Sequence, residues 1–197
     1  MADSIRTPKF RVSFPAVFTP QDQQKDDGTT KKEYSCVMLF AKDADLSALK
    51  AAAQAAAVEK WGDKIPSNLR SPFRDQGDKE YQGYEAGSVF ISAKSTMKPA
   101  VVGMEQVEID GQMRFKPLDE TEFYPGCYAW ATVNAYAYGG AGTKFSPGVG
   151  FGLRNIQKLE DGEPLGGRTR PEDDFAPADT GAAASGGEAK PAGSLFD

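Results

Sequence analysis

The spacing of apolar and polar side chains predicts that this chain is built mainly of β-strands. Residues 9–14 alternate strictly between large apolar side chains and polar or basic ones, the two-residue period of a strand with one buried face. The polar stretch 21–32 contains Asp27 and Gly28, a turn signal, and predicts a hairpin with a long mobile loop. Six further strand-like stretches are 34–41, 88–96, 99–109, 112–116, 127–138 and 148–159.

One predicted helix interrupts the strands. The Ala-rich stretch 46–61 has high helix propensity, with Asp43 or Asp45 as its N-cap and Gly62 as its stop signal. Segment 63–86 is predicted to be a long irregular excursion. Three roles are left open for it: a lid over the binding groove, an intersubunit arm, and the covering of an exposed sheet edge. Because strands and helices do not alternate, the order favours a mainly β fold, a small Greek-key barrel with insertions.

Composition narrows the class of protein. A chain of 197 residues with 40% hydrophobic content supports one substantial core, so one domain is expected. No leader-like or membrane-spanning apolar stretch is present, which predicts a soluble intracellular protein. Histidine is absent, which excludes histidine-dependent nucleophilic catalysis and histidine-containing zinc sites. Cys36 and Cys127 lie in separate apolar strands and are expected to be buried free thiols.

Charge divides the chain into a body and a tail. Residues 1–160 contain 20 Lys and Arg and 20 Asp and Glu, whereas residues 161–197 contain three and eight, so the tail holds the whole net charge of −5. Composition predicts a folded domain over 1–167 and a disordered acidic tail over 168–197. Two candidate docking peptides lie in that tail, with a purely solubilising tail as the alternative: Glu172, Asp173, Asp174, Phe175, Leu195, Phe196 and Asp197.

Stretch 127–138 indicates a ligand-binding strand. Its two-residue period separates a face of small apolar side chains from a face carrying Tyr128, Trp130, Tyr136 and Tyr138. The small face suits close packing against the Ala-rich helix. The aromatic face is then free for nucleobases, because a base–aromatic stack contributes about 1–3 kcal/mol for any base. In the alternative arrangement the aromatics form the core and the alanines face solvent.

A single-stranded nucleic acid also requires cations along its phosphates, and several basic residues lie near aromatic ones. Together with the aromatic Phe145, the candidates are Lys9, Arg11, Lys94, Lys98, Arg114, Lys116, Lys144 and Arg154. Ordinary decoration of solvated strands is the alternative for part of this set. Gly148, Gly150 and Gly152 share one face of the last strand, which indicates either close approach of a backbone or nucleotide or a tight barrel corner.

Four stretches resemble a family of single-stranded DNA-binding proteins encoded by tailed bacteriophages. They are KFRVSFPAVFTP, DADLSALK with the Ala-rich helix after it, YPGCYAWATVNAYAY, and GVGFGLRNIQKLEDGEPLGG. The resemblance covers most of residues 8–167. It implies an OB-fold core with insertions, sequence-independent binding of single-stranded DNA, and an acidic tail that docks replication and repair proteins and competes with DNA. The chain departs from the family in having a single acidic residue, Asp197, in its last segment.

The leading interpretation is a phage-encoded protein of the host-cell cytoplasm that coats single-stranded DNA in replication, recombination and repair. It would use no cofactor, metal or catalytic residue, and its oligomeric state is left open. One alternative is a metal-dependent nuclease built on carboxylates, for which Asp119, Glu120 and Glu122 form the densest group in the body. The other alternative is a structural or interaction module of the virion that binds no DNA.

Overall fold

The computed structural model describes residues 4–24, 28–143 and 145–166. Its β-strands are β1 (Ile5–Arg6), β2 (Phe10–Gln24), β3 (Thr30–Leu39), β4 (Arg74–Asp75), β5 (Val89–Ser95), β6 (Ala100–Ile109), β7 (Gln112–Pro117), β8 (Tyr128–Tyr138) and β9 (Gly148–Glu160). The helix α1 (Ser47–Trp61) lies between β3 and β4, and a short 3-10 helix (Gln76–Asp78) follows β4. All seven predicted strands and the predicted helix are confirmed. The two-residue strands β1 and β4 are too short to show a period.

Five strands close into a barrel in the order β2, β3, β5, β9, β8 and back to β2. All neighbours are antiparallel except β5 and β9, which are parallel and place Ala93 opposite Phe151. This connectivity is that of the OB-fold, so the predicted OB-fold-like barrel is confirmed. Strands β6 and β7 extend the sheet outward from β9, with β7 at its edge.

The small face of β8 packs against α1, as predicted. Leu49, Ala53 and Ala57 of the helix are buried in the same core cluster as Ala129 and Ala131 of the strand. Short side chains on both elements let the helix approach the barrel closely.

The C-terminal end of α1 follows the predicted signal, whereas the N-cap position is Leu46, which makes no side-chain capping bond, and not Asp43 or Asp45. One of the two predicted capping residues, Asp45, accepts a hydrogen bond from the Ser47 backbone N–H at 2.9 Å, and hydrogen bonding to Ser47 lowers the pKa of Asp45. At the other end Gly62 has a φ of +55° and donates its N–H to the Val58 carbonyl, which ends the helix.

The long loop predicted between the first two strands is wrong. Strands β2 and β3 continue as a polar ribbon in which Asp22 lies opposite Lys32 and Gln24 lies opposite Thr30. The Asp22–Lys32 cross-strand pair of opposite charge stabilises this ribbon, which has no buried face. A ribbon that is polar on both sides has no alternation of apolar residues and therefore cannot be found from hydrophobic period.

Both cysteines are free and buried, as predicted. Burial raises the pKa of the Cys36 and Cys127 thiols, so both remain protonated near neutral pH. Among the residues that the structure describes, no group of three or more His, Cys, Asp or Glu side chains is placed to hold a metal ion. No helix within the same described part of the chain is long and apolar enough to cross a membrane.

Candidate nucleic-acid interface

Strand β8 presents its aromatic side chains on the outside of the barrel. Val133 and the inward alanines from Ala129 to Ala135 are at most 8% exposed, whereas Tyr136 and Tyr138 are 41% and 36% exposed. The arrangement with the aromatics in the core is therefore wrong. Burial, with Glu33 and Tyr138 nearby, raises the pKa of Tyr136, so its phenol stays neutral and can donate a hydrogen bond.

Glycines of β9 support the two exposed tyrosines. Gly148 lies opposite Tyr138 and Gly150 lies opposite Tyr136 in the antiparallel ladder. A Cβ at residue 148 would stand 2.5 Å from Tyr138, and one at residue 150 would stand 2.8 Å from Tyr136. The close approach that the glycine run indicated is therefore made by tyrosine rings, which lie across the glycine backbone.

A cleft of about 740 Å³ opens beside these rings. The β2–β3 ribbon, the excursion after α1 and the loop between β8 and β9 form its walls. Its lining residues include Gln23, Glu33, Arg70, Arg74, Ser92, Lys94, Tyr136, Tyr138, Phe145 and Gly150. Four of the sequence-predicted binding residues thus meet at one site: Lys94, Tyr136, Tyr138 and Phe145.

Lys94 supplies a cation to this cleft from β5. It lies opposite Gly152 of β9, which places its side chain on the outer face of the barrel. Its ammonium is 3.8 Å from the Glu33 carboxylate and donates to Gln23 Oε1 at 3.4 Å. Because both contacts are long, a phosphate can replace them at little cost.

Two arginines of the cleft were missed by sequence reasoning because they lie in the unassigned excursion. The backbone of Arg70 bonds to Pro147 and Val149, which fixes the excursion to the start of β9. The Arg74 guanidinium lies 4.7 Å from the Phe90 ring centre, so its charge is held over an aromatic face. The grouping Arg70-Ser71-Pro72-Phe73-Arg74, basic residues beside an aromatic one, was the available signal.

The other two aromatics of β8 form a separate outer patch. Lys9 lies 5.1 Å from the Tyr128 ring centre, and Arg6 lies 4.6 Å from that of Trp130. Trp130 and Tyr136 are six positions apart, which is about 20 Å along a strand. Trp130 borders a groove of about 340 Å³ that Phe115 also lines. The single predicted platform is therefore two surfaces, each with its own cations.

The remaining predicted cations are distributed around the body. Arg11 donates to the Gly126 and Glu163 carbonyls, and Arg154 donates to Asn134 Oδ1 at 3.3 Å. Lys116 pairs with Glu122 at 2.8 Å, and Arg114 donates to Gln112. Lys98 is exposed at the turn before β6. Lys144 and the predicted docking residues of the tail lie outside the described residues: Glu172, Asp173, Asp174, Phe175, Leu195, Phe196 and Asp197.

The acidic group considered for a nuclease forms a local turn. Asp119 accepts hydrogen bonds from the backbone N–H groups of Thr121 and Glu122, and bonds to these two residues lower its pKa. Glu122 accepts from Lys116 and from the Asp119 backbone, and these bonds lower its pKa, with Lys116 the main cause. The oxygens of these two carboxylates thus stabilise the turn before β8.

A closed OB barrel whose outer face carries tyrosines beside arginine and lysine defines a nucleic-acid-binding class of OB-fold protein. The family model described as "Enterobacter phage Enc34, ssDNA-binding protein" matches residues 3–185, and the chain belongs to this family. The predicted phage family is thereby confirmed.

One phage protein is similar to this chain in sequence, and solved structures are similar to it in fold. Protein p50 of Acyrthosiphon pisum secondary endosymbiont phage 1 is 28% identical over 172 residues, which cover 83% of this chain and 86% of that protein. The single-stranded DNA-binding protein from bacteriophage Enc34 aligns with a TM-score of 0.62 at 20% identity, over 87% of this chain and 88% of that one. Its complex with ssDNA aligns with a TM-score of 0.61 at 21% identity, over 83% and 89%.

A second phage protein shares the fold. The structure of gp2.5, a single-stranded DNA-binding protein encoded by bacteriophage T7, aligns with a TM-score of 0.55 at 14% identity. The alignment covers 94% of this chain and all of the gp2.5 chain. The barrel is thus common to both phage proteins despite low identity.

Proposed function

We propose that this chain binds single-stranded DNA without sequence preference and coats it during phage replication, recombination and repair in the host-cell cytoplasm. The observation that carries this proposal is the cleft in which Tyr136 and Tyr138 lie over glycines beside Lys94, Arg70 and Arg74. The rings offer stacking surfaces that accept any base, and the cations neutralise phosphates. Membership of a family described by ssDNA binding supports the same assignment.

Binding at the cleft exchanges one set of polar contacts for another. Lys94 leaves Glu33 and pairs with a phosphate, while Arg74 remains stacked on Phe90 and directs its outer edge to the strand. Arg154 and Phe145 extend the same face on either side of the tyrosines. The function requires no bond chemistry, and the local bonds of Asp119 and Glu122 favour it over a nuclease.

The outer patch offers a continuation for longer DNA. Tyr128 with Lys9 and Trp130 with Arg6 each combine a ring with a cation, the pairing found in single-strand grooves. Lys98 and Arg114, on the β6–β7 side, add positive charge beyond Trp130. In this arrangement Arg11 and Lys116 mainly stabilise the fold and not the DNA. Arg11 bonds to two backbone carbonyls, and Lys116 pairs with the Glu122 carboxylate.

We also propose that tail residues 168–197 dock replication or recombination proteins and compete with DNA for the cationic cleft. The support is the charge distribution, since the net charge of −5 falls entirely within residues 161–197. Deletion of 168–197 should tighten DNA binding at low salt and change it little at high salt. Equal affinity of the full and shortened chains at low salt would exclude self-inhibition.

Binding of the full chain to labelled oligo(dT), duplex DNA and RNA tests the proposed function. Fluorescence anisotropy over a salt series of about 50 to 200 mM should show single strands bound most tightly, with affinity falling steeply as salt rises. Tyr136→Ala should weaken binding by about tenfold, within the range of one lost stack, and Tyr136→Phe should retain it. Absence of binding at low salt would refute the function, and magnesium-dependent loss of the oligonucleotide would favour the nuclease.

A further inference from the structure

Four aromatic rings form a ladder next to the cleft, on the outer face of β2 and β5. The ring centroids of Phe14 and Tyr81 are 5.3 Å apart, those of Tyr81 and Tyr84 5.4 Å, and those of Tyr84 and Phe90 5.8 Å. All three pairs are edge-to-face. The two outer rings are among the most exposed aromatics of the described chain, with Phe14 57% and Tyr81 50% exposed.

Phe14 is held in an unfavourable backbone conformation. Its φ is +43°, in the left-handed region that a bulky residue rarely adopts. The strand register shifts between Ser13 and Ala16, so a β-bulge turns the Phe14 ring outward to solvent. Strain that exposes a large apolar ring does not serve the core, and strained residues of this kind cluster at binding sites.

A row of small side chains connects the ladder to the tyrosine cleft. It crosses five neighbouring strands from β2 to β8 through Ser13, Val37, Ser92 and Gly150 and ends at Tyr136. Ser92 and Gly150 directly precede the paired residues Ala93 and Phe151. Four strand spacings make this row about 19 Å long. Tyr84 stands at its far end, where the phenol lies 3.2 Å from the Ser13 hydroxyl. The ladder and Tyr136 thus lie at the two ends of one row of residues on the outer face of the barrel.

Arg74 places a positive charge between the tyrosine cleft and the ladder. Its side chain lines the tyrosine cleft and also stacks on Phe90, the innermost ring of the ladder. Lys94 lies on the same outer face of β5, two residues after Ser92. A DNA strand that runs from Tyr136 towards Tyr81 therefore passes both cations, which neutralise its phosphates.

We propose that Phe14 and Tyr81 form a second base-stacking platform at the far end of the groove that begins at Tyr136 and Tyr138. This inference rests on the proposed binding of single-stranded DNA and names the place at which the DNA strand leaves the barrel. The occupant is a nucleobase, because the exposed rings lie on the same outer face as the cleft cations Arg74 and Lys94. The strain at Phe14 then serves to aim a ring at the DNA.

The test uses Phe14→Gly in the full chain. Glycine adopts a positive φ readily, so this variant should melt at an equal or higher temperature while it binds oligo(dT) about tenfold more weakly, the effect of one lost stack. Phe14→Tyr should restore the affinity, since it keeps the ring. Val58→Ala, which trims an apolar residue that is 47% exposed on α1, should leave both the melting temperature and the affinity near those of the parent.

Photo-crosslinking with an oligonucleotide containing halogenated uracil locates the bases directly. Crosslinked peptides should contain Phe14 or Tyr81 in addition to Tyr136 or Tyr138. Crosslinks at Tyr136 or Tyr138 alone, with full affinity in Phe14→Gly, would overturn the second platform while the proposed function stands. A lower melting temperature of Phe14→Gly would instead show that the Phe14 ring stabilises the fold. Absence of DNA binding by the parent chain would refute the proposed function itself.

Discussion

Gly150 lies directly opposite Tyr136 in the β8–β9 ladder, and the tyrosine ring occupies the space that a side chain at residue 150 would fill. A Cβ there would stand 2.8 Å from the ring carbon Cζ, closer than side-chain contacts allow. Because glycine has no side chain, the ring can lie across β9 while remaining 41% exposed to the cleft. The orientation of the proposed stacking surface therefore depends on a residue that need not touch DNA.

Gly150→Ala should weaken the binding of oligo(dT) by roughly threefold to tenfold, because the displaced Tyr136 ring loses part of a stack worth about 1–3 kcal/mol. Fluorescence anisotropy of the variant and the parent measures this difference. Gly103→Ala is the matched control, since a Cβ at residue 103 in β6 meets the flexible end of Leu118 at 3.4 Å and the Glu105 backbone nitrogen at 3.9 Å, both ordinary contacts. Unchanged affinity of Gly150→Ala would show that ring orientation does not limit binding.

Strands with one buried face were predictable from the sequence, whereas polar pairing was not. In β8 the alternation of small and aromatic residues reports the two environments directly, so both faces were assigned correctly. The ribbon that pairs Asp22 with Lys32 is solvated on both sides and has no such alternation. Its pairing depends on the partner strand, about which the local sequence pattern carries no information.

The site was predicted in part for a similar reason. Tyr136, Tyr138, Lys94 and Phe145 were found from side-chain chemistry, and the barrel brings them together. Trp130 belongs to another surface because β6 and β7 extend the sheet beside it, a tertiary relationship that no strand period encodes. The contribution of Arg74 depends equally on long-range pairing, since β4 joins β5 and places that residue beside Phe90.

Lys94→Gln should lower the salt dependence of DNA binding. If Lys94 neutralises one phosphate, the slope of log affinity against log salt should fall in magnitude by about 0.7, with weaker binding at low salt. Anisotropy titrations at several salt concentrations give this slope. Lys50→Gln removes an exposed lysine from α1 and should leave the slope nearly unchanged. Equal slopes for both variants would place the phosphate path away from β5.

Tryptophan emission can report separately on the outer patch. Trp130 lies under Arg6 in that patch, whereas Trp61 ends α1 and contacts the loop at Gly140. In Trp61→Phe, oligo(dT) should quench the remaining Trp130 emission, since bases stacked on the partly exposed indole quench it. In Trp130→Phe the quenching should be smaller. Tight binding to Trp61→Phe without a change in emission would restrict DNA to the tyrosine cleft.

Arg11→Ala should reduce stability more than DNA affinity. The Arg11 guanidinium donates to the Glu163 carbonyl at 2.7 Å and to the Gly126 carbonyl at 3.4 Å, which joins β2 to the segment after β9. Losing these bonds should cost about 1–2 kcal/mol, or roughly 2–8 °C in Tm for a domain of this size. Thermal unfolding and anisotropy on the same samples separate the two effects.

Lys9→Ala is the control for the Tm measurement alone, because the Lys9–Glu160 ion pair is exposed on both sides and its loss should change Tm little. The pKa of Lys9 is raised by Glu160, so its stabilising contribution is present below the ordinary lysine pKa and is lost only as the pH rises through the raised value. A measurement at neutral pH therefore compares two charged side chains. If Arg11→Ala loses affinity tenfold at unchanged Tm, Arg11 contacts phosphate, and the DNA path includes the end of the barrel beside Tyr128.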